Sequence, residues 1–120
     1  MATAILIGMP EDLANQLSRV LREEAHRVGR REYTEFRPGA APDVVFLYGD
    51  AAYWSSALSW LRESQPRTPV VLVTRLPESR RWLDALDQGA RDYCCAPFTR
   101  ADVRWILHSV CPQASLPAAA

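Results

Sequence analysis

Three short, unbroken apolar runs constrain this chain more than anything else in it: Ile5-Leu6-Ile7, Val44-Val45-Phe46-Leu47-Tyr48 and Val70-Val71-Leu72-Val73-Thr74. None alternates with polar residues, and the second and third are of full strand length. A strand apolar on both sides has to be covered on both sides, which is the condition of a central parallel sheet. Helical periodicity fills the gaps between the runs. Pro10 opens a helix with Glu11 and Asp12 in its first turn, where carboxylates complement the positive end of the dipole. Leu13, Leu17, Val20, Leu21 and Ala25 give that helix an apolar face, and the pattern predicts that it runs to about His26, before Gly29. Trp54, Ala57, Leu58 and Leu61 mark a second helix that stops before Pro66. A third spans 79–88 with Gly89 as its C-cap. A fourth starts after Thr99, with Asp102 in the capping-box position and Val103, Ile106, Leu107 and Val110 turned inward.

Two weaker strands complete the pattern. Asp92-Tyr93-Cys94-Cys95 is short and precedes Pro97, and residues 30–36 read as a poor edge strand around Tyr33 and Phe36. Strands alternating with helices specify an α/β fold, a three-layer doubly wound sandwich around a parallel sheet. The length, 120 residues, is that of one domain. Residues 1–112 are expected to form it, with 113–120 as a flexible tail or the start of a linker. In such sheets the working crevice lies at the carboxyl ends of the strands. That end should carry Gly8, Met9, Tyr48, Gly49, Asp50, Thr74, Arg75, Cys95 and Ala96.

Composition removes several functions. Fourteen basic residues balance fourteen acidic ones, so no global field draws in nucleic acid or an anionic membrane. Every basic residue is arginine. The absence of lysine excludes a P-loop and any Schiff-base chemistry. No apolar run is long enough to span a bilayer, and the first residues read as a strand rather than as a leader. Cys94, Cys95 and Cys111 are too few and too clustered for a disulfide framework, so a reduced, cytoplasmic setting is expected. Neither His26 nor His108 falls at the crevice, and no enzymatic activity is expected.

The C-terminal half resembles the receiver domain of bacterial two-component response regulators. Pro69-Val70-Val71-Leu72-Val73-Thr74 is similar to that family's fourth strand and its functional hydroxyl. Gln88-Gly89-Ala90-Arg91-Asp92-Tyr93 followed by Ala96-Pro97-Phe98 is similar to its Gly-Ala-x-x-Tyr and Lys-Pro-Phe segments. Pro42-Asp43-Val44-Val45-Phe46-Leu47 is similar to the start of its phosphoacceptor strand. The resemblance covers about residues 4–110. It implies the flavodoxin-like order 2-1-3-4-5 and a cis bond at Ala96-Pro97.

The same resemblance places the family's chemistry on residues that cannot perform it. The acidic pair that holds Mg²⁺ falls on Gly8 and Met9, the phosphoacceptor on Tyr48 and the pairing lysine on Ala96, while Thr74 and the aromatic Tyr93 survive. Hard cations need oxygen ligands, which Gly8 and Met9 do not supply as side chains. This implies a phosphorylation-independent pseudo-receiver with no cofactor and no metal, acting through protein partners. The family's partner and dimer surface falls on residues 79–110, with Arg80, Arg81, Tyr93, Arg104 and Trp105. A homodimer through that surface is expected, with no nucleic acid and no membrane as partner. If the second strand occupies 30–36, only seven residues precede Val44, so the family's second helix is expected to be missing or reduced.

Three other readings stay open at this point. Asp50 is an acid two residues beyond the expected acceptor, open to phosphoryl uptake at a shifted site or to capping the helix after it. Cys95 is a candidate redox sensor if Arg75 or Arg100 lowers its thiol pKa, although adjacent cysteines in a strand face opposite sides. The less polar crevice also suits a small ligand. The arginines at 19, 22, 27, 30, 31 and 37 are interleaved with Glu23, Glu24, Glu32 and Glu35, which nearly cancel them and leave a solvated face.

Overall fold

A computed structural model describes residues 2–31, 42–49, 54–75 and 79–111, with the backbone course alone for 79–82. Five parallel strands form one sheet in the order β2-β1-β3-β4-β5. They are β1 (Thr3–Ile7), β2 (Arg27–Arg31), β3 (Val44–Tyr48), β4 (Val70–Thr74) and β5 (Asp92–Cys95). Four helices lie among the described residues: α1 (Glu11–Glu23), α2 (Trp54–Ser64), α3 (Ser79–Asp87) and α4 (Arg100–Val110).

Strand alternation sorts the core into two layers. Ala4, Leu6, Val44, Phe46, Val71, Val73 and Cys94 face α1 and α4, where they meet Leu13, Leu17, Leu21, Val103 and Leu107. Ile7, Val45, Leu47, Val70 and Leu72 face the other side and pack with Leu58, Leu61 and Ala85 of α2 and α3. The central strands are buried on both sides, as their uninterrupted apolar sequences require. Each such side chain contributes about 1.5–3 kcal/mol of burial. At α4, Thr99 Oγ1 accepts from the Asp102 N–H at 3.1 Å, as the capping pattern predicts. The Ala96-Pro97 bond is cis.

The first helix is shorter than its apolar pattern predicts. It ends at Glu23, and Ala25 takes a left-handed conformation with φ of 65°. The His26 N–H then donates to Leu21 O at 3.0 Å, closing the helix end. Ala25 therefore does what glycine usually does, four residues before the chain reaches one.

Stopping the helix early moves the second strand. It occupies Arg27–Arg31 rather than 30–36, paired residue for residue with β1 from Thr3↔Arg27 to Ile7↔Arg31. Its sequence gives no apolar signal, because it is an edge strand whose Val28 alone reaches the core. The ladder is fixed by the backbone, through Arg27 N–H to Ala2 O and Gly8 N–H to Arg31 O, both 2.9 Å. Gly29 fits because a Cβ there would lie 2.9 Å from Ile5 Cδ1. The connection to β3 is consequently twelve residues, 32–43, not seven. The expected loss of the second helix, together with Tyr33 and Phe36, falls within 32–41, outside the described residues.

Candidate functional site

All five strands run the same way, so their carboxyl ends share one edge of the sheet. Gly8 and Met9 leave β1 there, Tyr48 ends β3, Thr74 ends β4 and Ala96 follows β5. Gly8 has a positive φ of 65°, which turns the chain toward α1. Gly49 is held by its N–H to Val73 O at 2.7 Å, and a Cβ on it would meet Leu72 Cγ at 2.6 Å. The residues expected at the crevice are therefore brought together, with Asp50 outside the described residues.

What fills this end is an internal ion pair. Arg75 donates through Nη1 and Nη2 to the two carboxylate oxygens of Asp12, both at 2.7 Å. Arg75 also hydrogen-bonds the Tyr48 side chain. The guanidinium thus spans from the first turn of α1 to the end of β3. Its bond to Asp12, then its bond to Tyr48, push the Arg75 pKa further above its ordinary range, and Arg75 holds the Asp12 carboxyl below its own. Asp12 is more than a dipole-compensating residue: it is the Arg75-bound anion at this end of the sheet. Both side chains stay about half exposed, 44% and 57%, so the pair organises the surface more than it stabilises the fold.

On the opposite side of the sheet, Thr74 Oγ1 and the Tyr93 hydroxyl form a 2.8 Å hydrogen bond. Thr74 is buried and Tyr93 half-buried, so this expected partner residue directs its hydroxyl inward. Met9, Tyr48 and Ala96 are half-buried against the α1–α4 core layer.

Cys94 and Cys111 are core groups, whereas Cys95 is half-buried and outside both core layers. Cys94 is buried, and desolvation, then the charge of Asp102, pushes its thiol up to about 12. Burial and Asp43 push Cys111 up to about 11. Cys95 lies on the other face of the strand, and its Sγ donates to Ala96 O at 3.2 Å and Arg75 O at 3.4 Å. Arg75 therefore offers Cys95 a carbonyl, while its charge goes to Asp12. The arrangement gives no metal-binding cluster of His, Cys, Asp or Glu among the described residues. No described helix is long and apolar enough to cross a membrane.

Around α3, β5 and α4, Trp105 is 73% exposed and Leu83 59%. The side chains of Arg80 and Arg81 lie outside the described ones. Leu86 is also exposed, and the Trp82 side chain is not among those described. Arg104 is committed within the chain, donating to Glu24 Oε1 at 2.7 Å. Sequence reasoning missed the Asp12–Arg75 and Glu24–Arg104 pairs. The first had a signal, a cation next to Thr74 at a crevice that an acidic helix start overlooks.

This is a doubly wound α/β domain with an ion pair of its own across the carboxyl end of the sheet. No protein-family model matches the sequence, and no curated protein does. Solved structures do. A response regulator receiver domain protein from Clostridium thermocellum superposes with a TM-score of 0.82 at 17% identity, over 95% of this chain and 97% of that one. The non-phosphorylated HemR receiver domain from Leptospira biflexa gives 0.72 at 20% identity, over 92% and 94%. NtrX from Brucella abortus gives 0.80 at 19% identity over 95% of this chain, which spans 28% of that protein's length. The fold is that of response-regulator receiver domains.

Proposed function

We propose that this chain is a pseudo-receiver, a signalling module that has kept the receiver fold and works by binding protein partners without taking up phosphate. The observation that carries the reading is the Asp12–Arg75–Tyr48 network in the crevice. A receiver needs carboxylates there to hold Mg²⁺ and to accept a phosphoryl group. Here Asp12, a described acid of the crevice, is bound to arginine on both oxygens, and a phenol stands at the acceptor position. One conformation is thereby held without a ligand. The partner surface of this reading is the face of α3, β5 and α4, where Trp105 and Leu83 are exposed apolar groups of the kind enriched at interface centres.

The test is incubation with Mg²⁺ and a small-molecule phosphodonor, followed by intact-mass measurement. The reading expects no phosphoryl adduct. An adduct that disappears in Asp50→Asn would replace it with phosphorylation at a shifted acid. Sedimentation of the wild type and Trp105→Ala tests the surface, with a self-associating wild type and a monomeric variant expected.

A further inference from the structure

Glu23 and Glu24 do not neutralise the arginines beside them in the sequence. Glu24 turns to α4, its Oε1 accepting from Arg100 Nε at 2.8 Å and Arg104 Nη2 at 2.7 Å, and Glu23 Oε2 lies 3.9 Å from Arg100. The Glu24 side chain is only 16% exposed as a result. Among the described residues, the flank of α1 beside β2 is left positive. Arg30 Nη2 donates to Asn15 Oδ1 at 2.5 Å, which identifies that flank. Arg19 and Arg22 follow Asn15 by four and seven residues, so they run along it. β2 adds Arg30, which shares the α1 side with Val28, whereas Arg27 and Arg31, in register with Thr3 and Ile7, face the other side of the sheet. Arg19, Arg22 and Arg30 of this face are exposed, and none of them forms an ion pair among the described residues.

We propose that this arginine face of α1 and β2 is a docking site for an acidic segment of a partner protein, separate from the α3–β5–α4 face. Planar guanidinium groups match carboxylates two bonds at a time. A second copy presenting the same face is excluded by like charge. A nucleic acid is disfavoured because the positive field is local: the chain's net charge is zero, and Glu11 precedes Asn15 by one turn on the same flank. Recognition is by side chains rather than by adding a strand. The Arg30 carbonyl points away from β1 and already accepts from Arg31 Nη1 at 2.7 Å.

The experiment is fluorescence anisotropy with a labelled glutamate-rich peptide and, separately, a single-stranded oligonucleotide of equal net charge, on the full chain. Saturable, salt-sensitive peptide binding is expected, weakened about tenfold in the Arg19→Gln/Arg30→Gln double variant. Arg67→Gln, an exposed arginine after α2, should bind as the wild type does. Circular dichroism confirms that the double variant is folded. Absence of peptide binding, equal binding by the double variant, or tighter binding of the oligonucleotide would each overturn the proposal.

Discussion

Arg75 and Asp12, 63 residues apart in the chain, meet through two hydrogen bonds of 2.7 Å across the carboxyl end of the sheet. Arg75 comes from the end of β4 and Asp12 from the start of α1, so the pair bridges these two elements. The bond also sets a titration. Arg75 holds the Asp12 carboxyl below its ordinary value of 3.8, so Asp12 favours the fold above that pH and loses its effect as pH falls through the lowered value. In Arg75→Gln the Asp12 carboxyl, followed by carbon-detected NMR, should titrate closer to 3.8. An unchanged titration would remove the pair from the account.

His26 makes a second pH-dependent contact. Its Nδ1 accepts from the Ala2 N–H at 2.9 Å at the point where β1 and β2 begin to pair. Burial, then the positive N-terminus, lowers its pKa from 6.5, against the opposing charges of Glu24 and Asp43. The neutral ring is the folded form. Stability is therefore complete above 6.5 and declines as pH falls from there through the lowered value, because the unfolded chain binds the proton first. Thermal melting should show a lower Tm at about pH 5 than at about pH 7, with a smaller difference in His26→Ala.

Ala25 holds a backbone conformation that suits glycine. With φ at 65°, its Cβ costs about 1 kcal/mol against a residue that has none. Ala25→Gly should accordingly raise the urea midpoint, less whatever the more flexible unfolded chain takes back. A lowered midpoint would mean that the turn after α1 does not require the left-handed geometry.

These elements also show how far the sequence could be read. Val44–Tyr48 and Val70–Thr74 were legible because burial on both faces leaves a composition that few other structures tolerate. The final helix was legible because Thr99 and Asp102 cap it locally. β2 was not: an edge strand is held by backbone bonds to β1, and Arg27–Arg31 carries almost no side-chain record of them. Its position depended on where α1 stopped, and the stop was made by Ala25 in place of a glycine. The crevice was legible as a set of positions, Gly8, Met9, Tyr48, Thr74 and Ala96. The ion pair across it was not, because Asp12 and Arg75 are exposed charges far apart in the chain. The same holds for Glu24, which abandons its sequence neighbours for Arg100 and Arg104.

Phosphate independence is tested most directly by titrating the chain with Mg²⁺ and beryllofluoride, a mimic of the phosphoryl group, while following tryptophan fluorescence and mass in solution together. With Asp12 bound to Arg75 and Tyr48 at the acceptor position, neither signal should change in the folded protein. A saturable change in both, abolished in Asp50→Asn, would contradict the account and restore phosphoryl chemistry to this fold.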